Sequence, residues 1–250
     1  KCAPEERVGC SVRFTAFEER WRRLGGSVAG AGRYDPTGHD YTATITALLN
    51  LDQSEQRHQE MVRWLGRKLE FEPRRRADID AVFLAARPVQ AQGMRPQLQF
   101  HRAGDLPIYT TSHAWQGKLT ASQVEDMRGI RLADIPWMVV DDPGAADSRE
   151  LVASYLPKSA SGYARLYAMG MDALRLVPHL KRLQSTRYES LDGSTGNLYM
   201  DESNQIHRQL VWLVLDEEPQ ILGFTPRLDL QGGEQAAPVV QEQATPVPAT

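Results

Sequence analysis

The residues equipped for chemistry in this chain are scattered. The six histidines, His39, His58, His101, His113, His179 and His207, include no pair at the spacing that sets two imidazoles on one helix face for a metal. Acids are adjacent at Glu18-Glu19, Asp141-Asp142 and Glu217-Glu218. Sequence neighbours point apart, whereas an acid and base working on one bond must face each other. Cys2 and Cys10 lack zinc-ligand spacing and form either a small disulfide or two free thiols. No nucleophile elbow, P-loop or zinc-protease helix occurs. The closest approach to a nucleotide loop, Gly30-Ala31-Gly32, lacks a third glycine and a helix directly after it, so a strand end is the plainer reading. The expectation is a protein without enzymatic activity, cofactor or metal.

Binding offers more. Ser112-His113-Ala114-Trp115-Gln116-Gly117 leaves the carboxyl end of a strand, where open α/β sheets place their clefts. Tyr109, His113 and Trp115 are therefore candidates to line a cleft, with Trp115 equally suited to an interface or a core and Trp137 to the core. The loop run Arg74-Arg75-Arg76 is a candidate docking site for an acidic partner, against the plainer reading of a solvated charge run.

The surrounding elements must position these groups. Phe14, Phe17, Trp21 and Leu24 recur at helical spacing and Gly25-Gly26 ends the helix. Ser27 to Tyr34 is extended. Asp40 caps a helix burying Tyr41, Ile45, Leu48 and Leu49, and a further helix from Ser54 to Leu69 turns Met61, Trp64, Leu65 and Leu69 inward. Asp80 to Ala85 reads as a buried strand, Pro96 should end or kink the helix after it, and Leu106 to Thr111 is the next strand. This alternation predicts an α/β fold with a largely parallel sheet. The Pro-interrupted run Gly129 to Val139 suits an edge or crossover. Gly162 to Leu183 is the strongest helix, with Tyr163, Leu166, Tyr167, Gly170, Leu174 and Val177 on one face. Two turns, Gly193 to Gly196 and Asp201 to Asn204, then bracket the strand Asn197 to Met200; after them Ile206, Leu210, Trp212 and Val214 share one strand face and His207 and Gln209 the other.

At 250 residues, with 41% hydrophobic and 24% charged side chains, the chain can bury one substantial core or two small ones. Its formal net charge of -3 provides no field for a phosphate backbone, so nucleic acid is not an expected partner. No apolar run reaches the roughly 20 residues of a membrane span. The Gln, Ala, Pro and Val stretch from residue 231 to 250 reads as a disordered tail.

Five segments carry a specific resemblance: F-x-x-x-W-x-x-L-G-G at Phe17 to Gly26, D-A-V-F-L-A-A from Asp80, I-Y-T-T-S-H from Ile108, D-I-P-W at Asp134 to Trp137, and G-N-L-Y-M-D-E-x-x-x-I-x-R from Gly196 to Arg208. In this order they resemble the C-terminal domain of the LpoA (YraM) family of outer-membrane lipoproteins, which activate class A penicillin-binding proteins. The resemblance implies a fold like that of type I periplasmic solute-binding proteins, two α/β lobes around a cleft. It also implies a non-enzymatic activator of a bifunctional peptidoglycan synthase on the periplasmic side of the outer membrane of a Gram-negative bacterium, its membrane attachment a lipid anchor on a part preceding this chain. On that template residues 1–142 and 185–230 form most of the second lobe. Residues 143–184 form the crossover and a helix of the first, leaving Leu166, Leu174 and Val177 exposed. The alternative function on the same fold is one lobe of a small-solute receptor.

Overall fold

A computed structural model describes residues 4–140, 147–160, 162–186 and 188–227, with side chains from residue 14 onward. Cys2, the Cys10 side chain, Asp141-Asp142 and the tail from residue 231 lie outside the described residues. The elements in chain order are α1 (Pro4–Arg23), α2 (Thr42–Leu48), α3 (Leu51–Leu65), β1 (Val82–Leu84), α4 (Pro88–Leu98), β2 (Ile108–Thr111), α5 (Ala121–Met127), β3 (Arg131–Asp134), α6 (Pro136–Val139), α7 (Arg149–Tyr155), α8 (Ala164–Leu176), α9 (Leu180–Ser185), β4 (Leu191–Gly193), β5 (Gly196–Met200), β6 (Ile206–Gln209), β7 (Val211–Val214) and β8 (Gln220–Phe224).

Alternating burial along the strands builds the main sheet, in the order β1-β2-β3-β7-β8. The pairings β1–β2 and β2–β3 are parallel and those of β7 with β3 and β8 antiparallel, so the sheet is mixed where a largely parallel one was expected. Leu84, Ile108, Leu132 and Leu213 meet Ile45, Leu49, Ala91, Met94, Leu98 and Met127 from α2, α4, α5 and their ends in one core. Local signals start these helices. Asp40 Oδ1 accepts from Thr42 N at 2.9 Å, Pro88 occupies the first turn of α4, and Thr120 and Gln123 form a reciprocal capping box on α5.

Four expectations are corrected. The run containing β3 lies in the centre of the sheet rather than at an edge or crossover, because Pro136 falls past the strand and opens α6. Pro96 stays inside α4, which gives way only at a π-type turn over Gln99–Ala103, where Arg102 takes φ 62°. On α3, Leu51 and Ser54 are buried while Met61, Trp64 and Leu65 face solvent, Trp64 being 87% exposed. After Gln209 the chain leaves a second sheet, β4-β5-β6, for the main one, and Val211, Leu213 and Leu215 rather than Leu210, Trp212 and Val214 enter the core.

The expected long helix from Gly162 is divided. It stops as α8 at Leu176, passes through a 3-10 turn at Val177–His179 containing Pro178, and resumes as α9. Its polarity is inverted: Ala168 and Asp172 are buried, whereas Tyr163, Leu166, Leu174 and Val177 are exposed. Of these, Tyr163, Leu166 and Leu174 form an apolar groove of about 500 Å³ with Leu156, Tyr167, Gly170 and Met171.

Candidate functional site

The strand ends Thr111 and Asp134 and the loop after β2 define the crevice where a ligand was expected. It is filled by the protein itself. Trp115 is 1% exposed, and its indole Nε1 donates to Asp134 Oδ2 at 2.6 Å. Arg165, on the first turn of α8, reaches the same carboxylate, with Nε 2.9 Å from Oδ1 and Nη2 2.5 Å from Oδ2. The Arg165 Nη2 group also donates to the carbonyls of Ser112 at 3.0 Å and Trp115 at 3.2 Å, and Asp134 Oδ1 accepts from the backbone N of Ile135. A forked guanidinium thus occupies the strand ends through its Nε and Nη2 groups, although Thr111 Oγ1 beside it is buried without a hydrogen-bond partner among the described residues. The cluster fastens α8 to β3.

The far end of the same α8 face is fastened to the β4–β5 turn. Asp172 accepts from the backbone N of Ser194 at 2.8 Å and from the N and Oγ1 of Thr195 at 2.6 Å each. The carboxylate lies so close that a Cβ at Gly193 would come within 2.6 Å of it. Gly196 adopts φ 134°, and a Cβ there would stand 2.1 Å from the Gln209 carbonyl oxygen, so glycine is obligatory. Arg175 bridges Ser194 Oγ and Asp147 at 3.0 Å each. Burial opposes ionisation of Asp147, but hydrogen bonds from Ser194 and Arg175 outweigh it and hold its carboxyl below the usual value.

The candidates from sequence do not converge. Trp115 is a core side chain, and Trp137 is likewise buried, donating from Nε1 to the Asp147 carbonyl at 2.7 Å. His113 is exposed at the surface of the short turn Ser112–Ala114. Tyr109 projects from the middle of β2 onto the sheet face opposite the main core, where its ring packs edge-on to Trp212 at 6.0 Å between centroids. The arginine run divides: Arg75 pairs with Asp105 at 2.5 Å, Arg76 forks onto Asp78 and donates to the Ala29 carbonyl, and Arg74 is exposed. The Gly30–Arg33 segment lines a cavity of about 430 Å³ with Arg76, but a Cβ at Gly32 would meet Thr44 Cγ2 at 2.7 Å. Those glycines let an extended loop lie against α2; no strand ends there, which corrects the plainer reading. Arg165 and Asp172 were not foreseen; their partners are distant in sequence, and no spacing marks them. Among the described residues no cluster of His, Cys, Asp or Glu could hold a metal ion, and no helix is long and apolar enough to cross a membrane.

The model of the LppC lipoprotein family matches residues 2–217. The penicillin-binding protein activator LpoA of Vibrio cholerae serotype O1 is 29% identical over 213 residues, covering 84% of this chain and 34% of its own length. Its namesake in Vibrio antiquarius is 30% identical over 201 residues, covering 79% of this chain and 32% of its own. The chain thus spans about a third of the curated relatives it matches. Among solved structures, the C-domain of Haemophilus influenzae LpoA, described as a regulator of PBP1A, superposes with a TM-score of 0.53 at 22% identity over 82% of this chain and 56% of that one. This likeness shows a shared mixed α/β fold.

Proposed function

The chain belongs to the LppC lipoprotein family, and from that membership we propose that it is a non-enzymatic activator that binds and stimulates a class A penicillin-binding protein from the periplasmic side of the outer membrane. The relatives are named as penicillin-binding protein activators, which supports the general role. The structural observation that carries the reading is the filled crevice. Trp115, Asp134 and Arg165 satisfy one another where a solute receptor of this class would keep donors and acceptors for its ligand. The surface, rather than an interior cleft, is then the place of contact.

On the same reading, residues 1–142 and 185–230 form one lobe, while 143–184 carry a helix whose outer face packs against a first lobe. The inverted polarity of α8, with Leu174 76% exposed, supports this arrangement. Membrane attachment in this scheme comes from a lipid anchor on a part of the protein preceding residue 1. The test is a pull-down of the purified chain with the class A synthase encoded in the same genome. Retention of the synthase supports the role, and failure to retain it at micromolar concentrations contradicts it.

A further inference from the structure

The parallel part of the sheet, β1-β2-β3, is of the kind normally covered on both faces. Here α2, α4 and α5 cover one face, while on the other Phe17 of α1 stacks on Phe83 at 3.9 Å, at the β1 edge. Toward the centre of that second face stand Tyr109, Arg131 and Trp212, all half-buried. The register aligns Phe83, Tyr109, Arg131 and Val214 in one row and Thr111, Ala133, Trp212 and Gly223 in the next. Ala133 and Gly223 therefore leave a shallow floor on both sides of the Trp212 indole, and a Cβ at Gly223 would touch nothing within 4 Å.

Arg131 is the unusual member. Its guanidinium lies 5.9 Å from the centre of the Tyr109 ring and donates to Tyr109 Oη at 3.3 Å, yet it meets no carboxylate among the described residues. The acids after β7, Asp216 and Glu217, pair with Arg128 instead. A half-buried guanidinium on a central strand without a counter-charge is costly, and a carboxylate is its geometric complement. Arg, Tyr and Trp together are also the residue types that dominate protein–protein hot spots. All three residues keep partial solvent exposure and none lines the 430 Å³ cavity or the 500 Å³ groove.

We propose that Tyr109, Arg131 and Trp212 form the contact surface for the partner synthase, and that an acidic side chain of that protein pairs with Arg131 while apolar neighbours cover the two rings. This inference rests on the synthase reading above. Binding of the full-length class A synthase to the 250-residue chain is measured with wild type, Arg131→Glu, Arg131→Gln, Trp212→Ala and a control, Trp64→Ala, on the exposed side of α3. Thermal melting checks the fold of each. The expected result is wild-type affinity for Trp64→Ala and a loss of about thirtyfold or more for Arg131→Glu and Trp212→Ala. Folded Arg131→Glu or Arg131→Gln binding as tightly as wild type overturns the surface and leaves the synthase reading standing. In a parallel arm, soluble muropeptides, whose stems also carry carboxylates, are titrated while the Trp212 indole signal is followed by NMR. A shift there without synthase binding overturns the proposed partner, and neither response overturns both.

Discussion

An ionised carboxylate that is 1% exposed, as Asp134 is, is tolerated in a protein interior only when its oxygens are met by donors. Arg165, Trp115 and the Ile135 amide supply them. Arg165→Met should therefore lower the unfolding free energy by about 3 kcal/mol, the low end for breaking a buried pair because the arginine keeps some solvent contact. Urea denaturation checks it, and a change under about 1 kcal/mol would show that the cluster is not a fastening. Asp147 provides a test by pH. Its folded-state value is depressed, so its contribution is present above the unfolded value, about pH 4, and is lost as pH falls through the lower folded value. Wild type should lose stability below about pH 4 more steeply than Asp147→Asn, measured as urea midpoints across that range. On the β5–β6 turn, Asp201 is held below its usual value first by the His207 hydrogen bond at 2.8 Å and then by the Gln205 amide. NMR titration of His207→Ala should show the Asp201 value moving up. Only part of this scale was legible beforehand: Trp115 drew notice as a tryptophan in a loop, but Arg165 looked like any helix arginine because its partner lies 31 residues away.

Elements with a single strong periodicity were the ones sequence could place. Of the expected α2 stripe, Tyr41, Ile45 and Leu49 are buried and Leu48 is half-buried, and the two turns around β5 fall where glycine, aspartate and asparagine cluster. Misreadings arose where tertiary context overrode a local signal. Met61, Trp64 and Leu65 look like a buried stripe but sit on the side of α3 turned from the core, and a proline two residues beyond β3 made a central strand resemble an edge. The turn from β6 into β7 moves the chain between sheets, which strict alternation cannot reveal. The α8 tether to the β4–β5 turn is testable at this scale. Asp172→Ala leaves the Ser194 and Thr195 amides without their acceptor and should cost roughly 3 kcal/mol. Hydrogen exchange should quicken in Leu191 to Met200 first; uniform change across the chain would contradict a local tether.

For the whole molecule, the notable property is an apolar helix face turned outward over a core tied together by the Asp134 and Asp172 clusters. Tyr163, Leu166, Leu174 and Val177 exposed together favour association. The isolated chain should self-associate with rising concentration in sedimentation analysis. Leu174→Glu should make it monomeric while shifting stability by no more than about 0.5 kcal/mol, since the side chain is already in solvent. A monomer at all concentrations would mean that the face is sterically or electrostatically protected. The family was legible in sequence because its turns and the D-I-P-W and G-N-L-Y-M-D-E segments are short, ordered and local. Of the proposed contact surface only Tyr109 was singled out beforehand, because it meets Arg131 and Trp212 only when β2, β3 and β7 pair. The central claim, direct activation of a peptidoglycan synthase without catalysis by this protein, is tested most directly by reconstituting glycan polymerisation and crosslinking by the purified class A synthase with and without the chain. A dose-dependent rise in synthase activity that saturates near equimolar chain, with no turnover by the chain alone, is the predicted result. An unchanged synthase rate at saturating chain would contradict it.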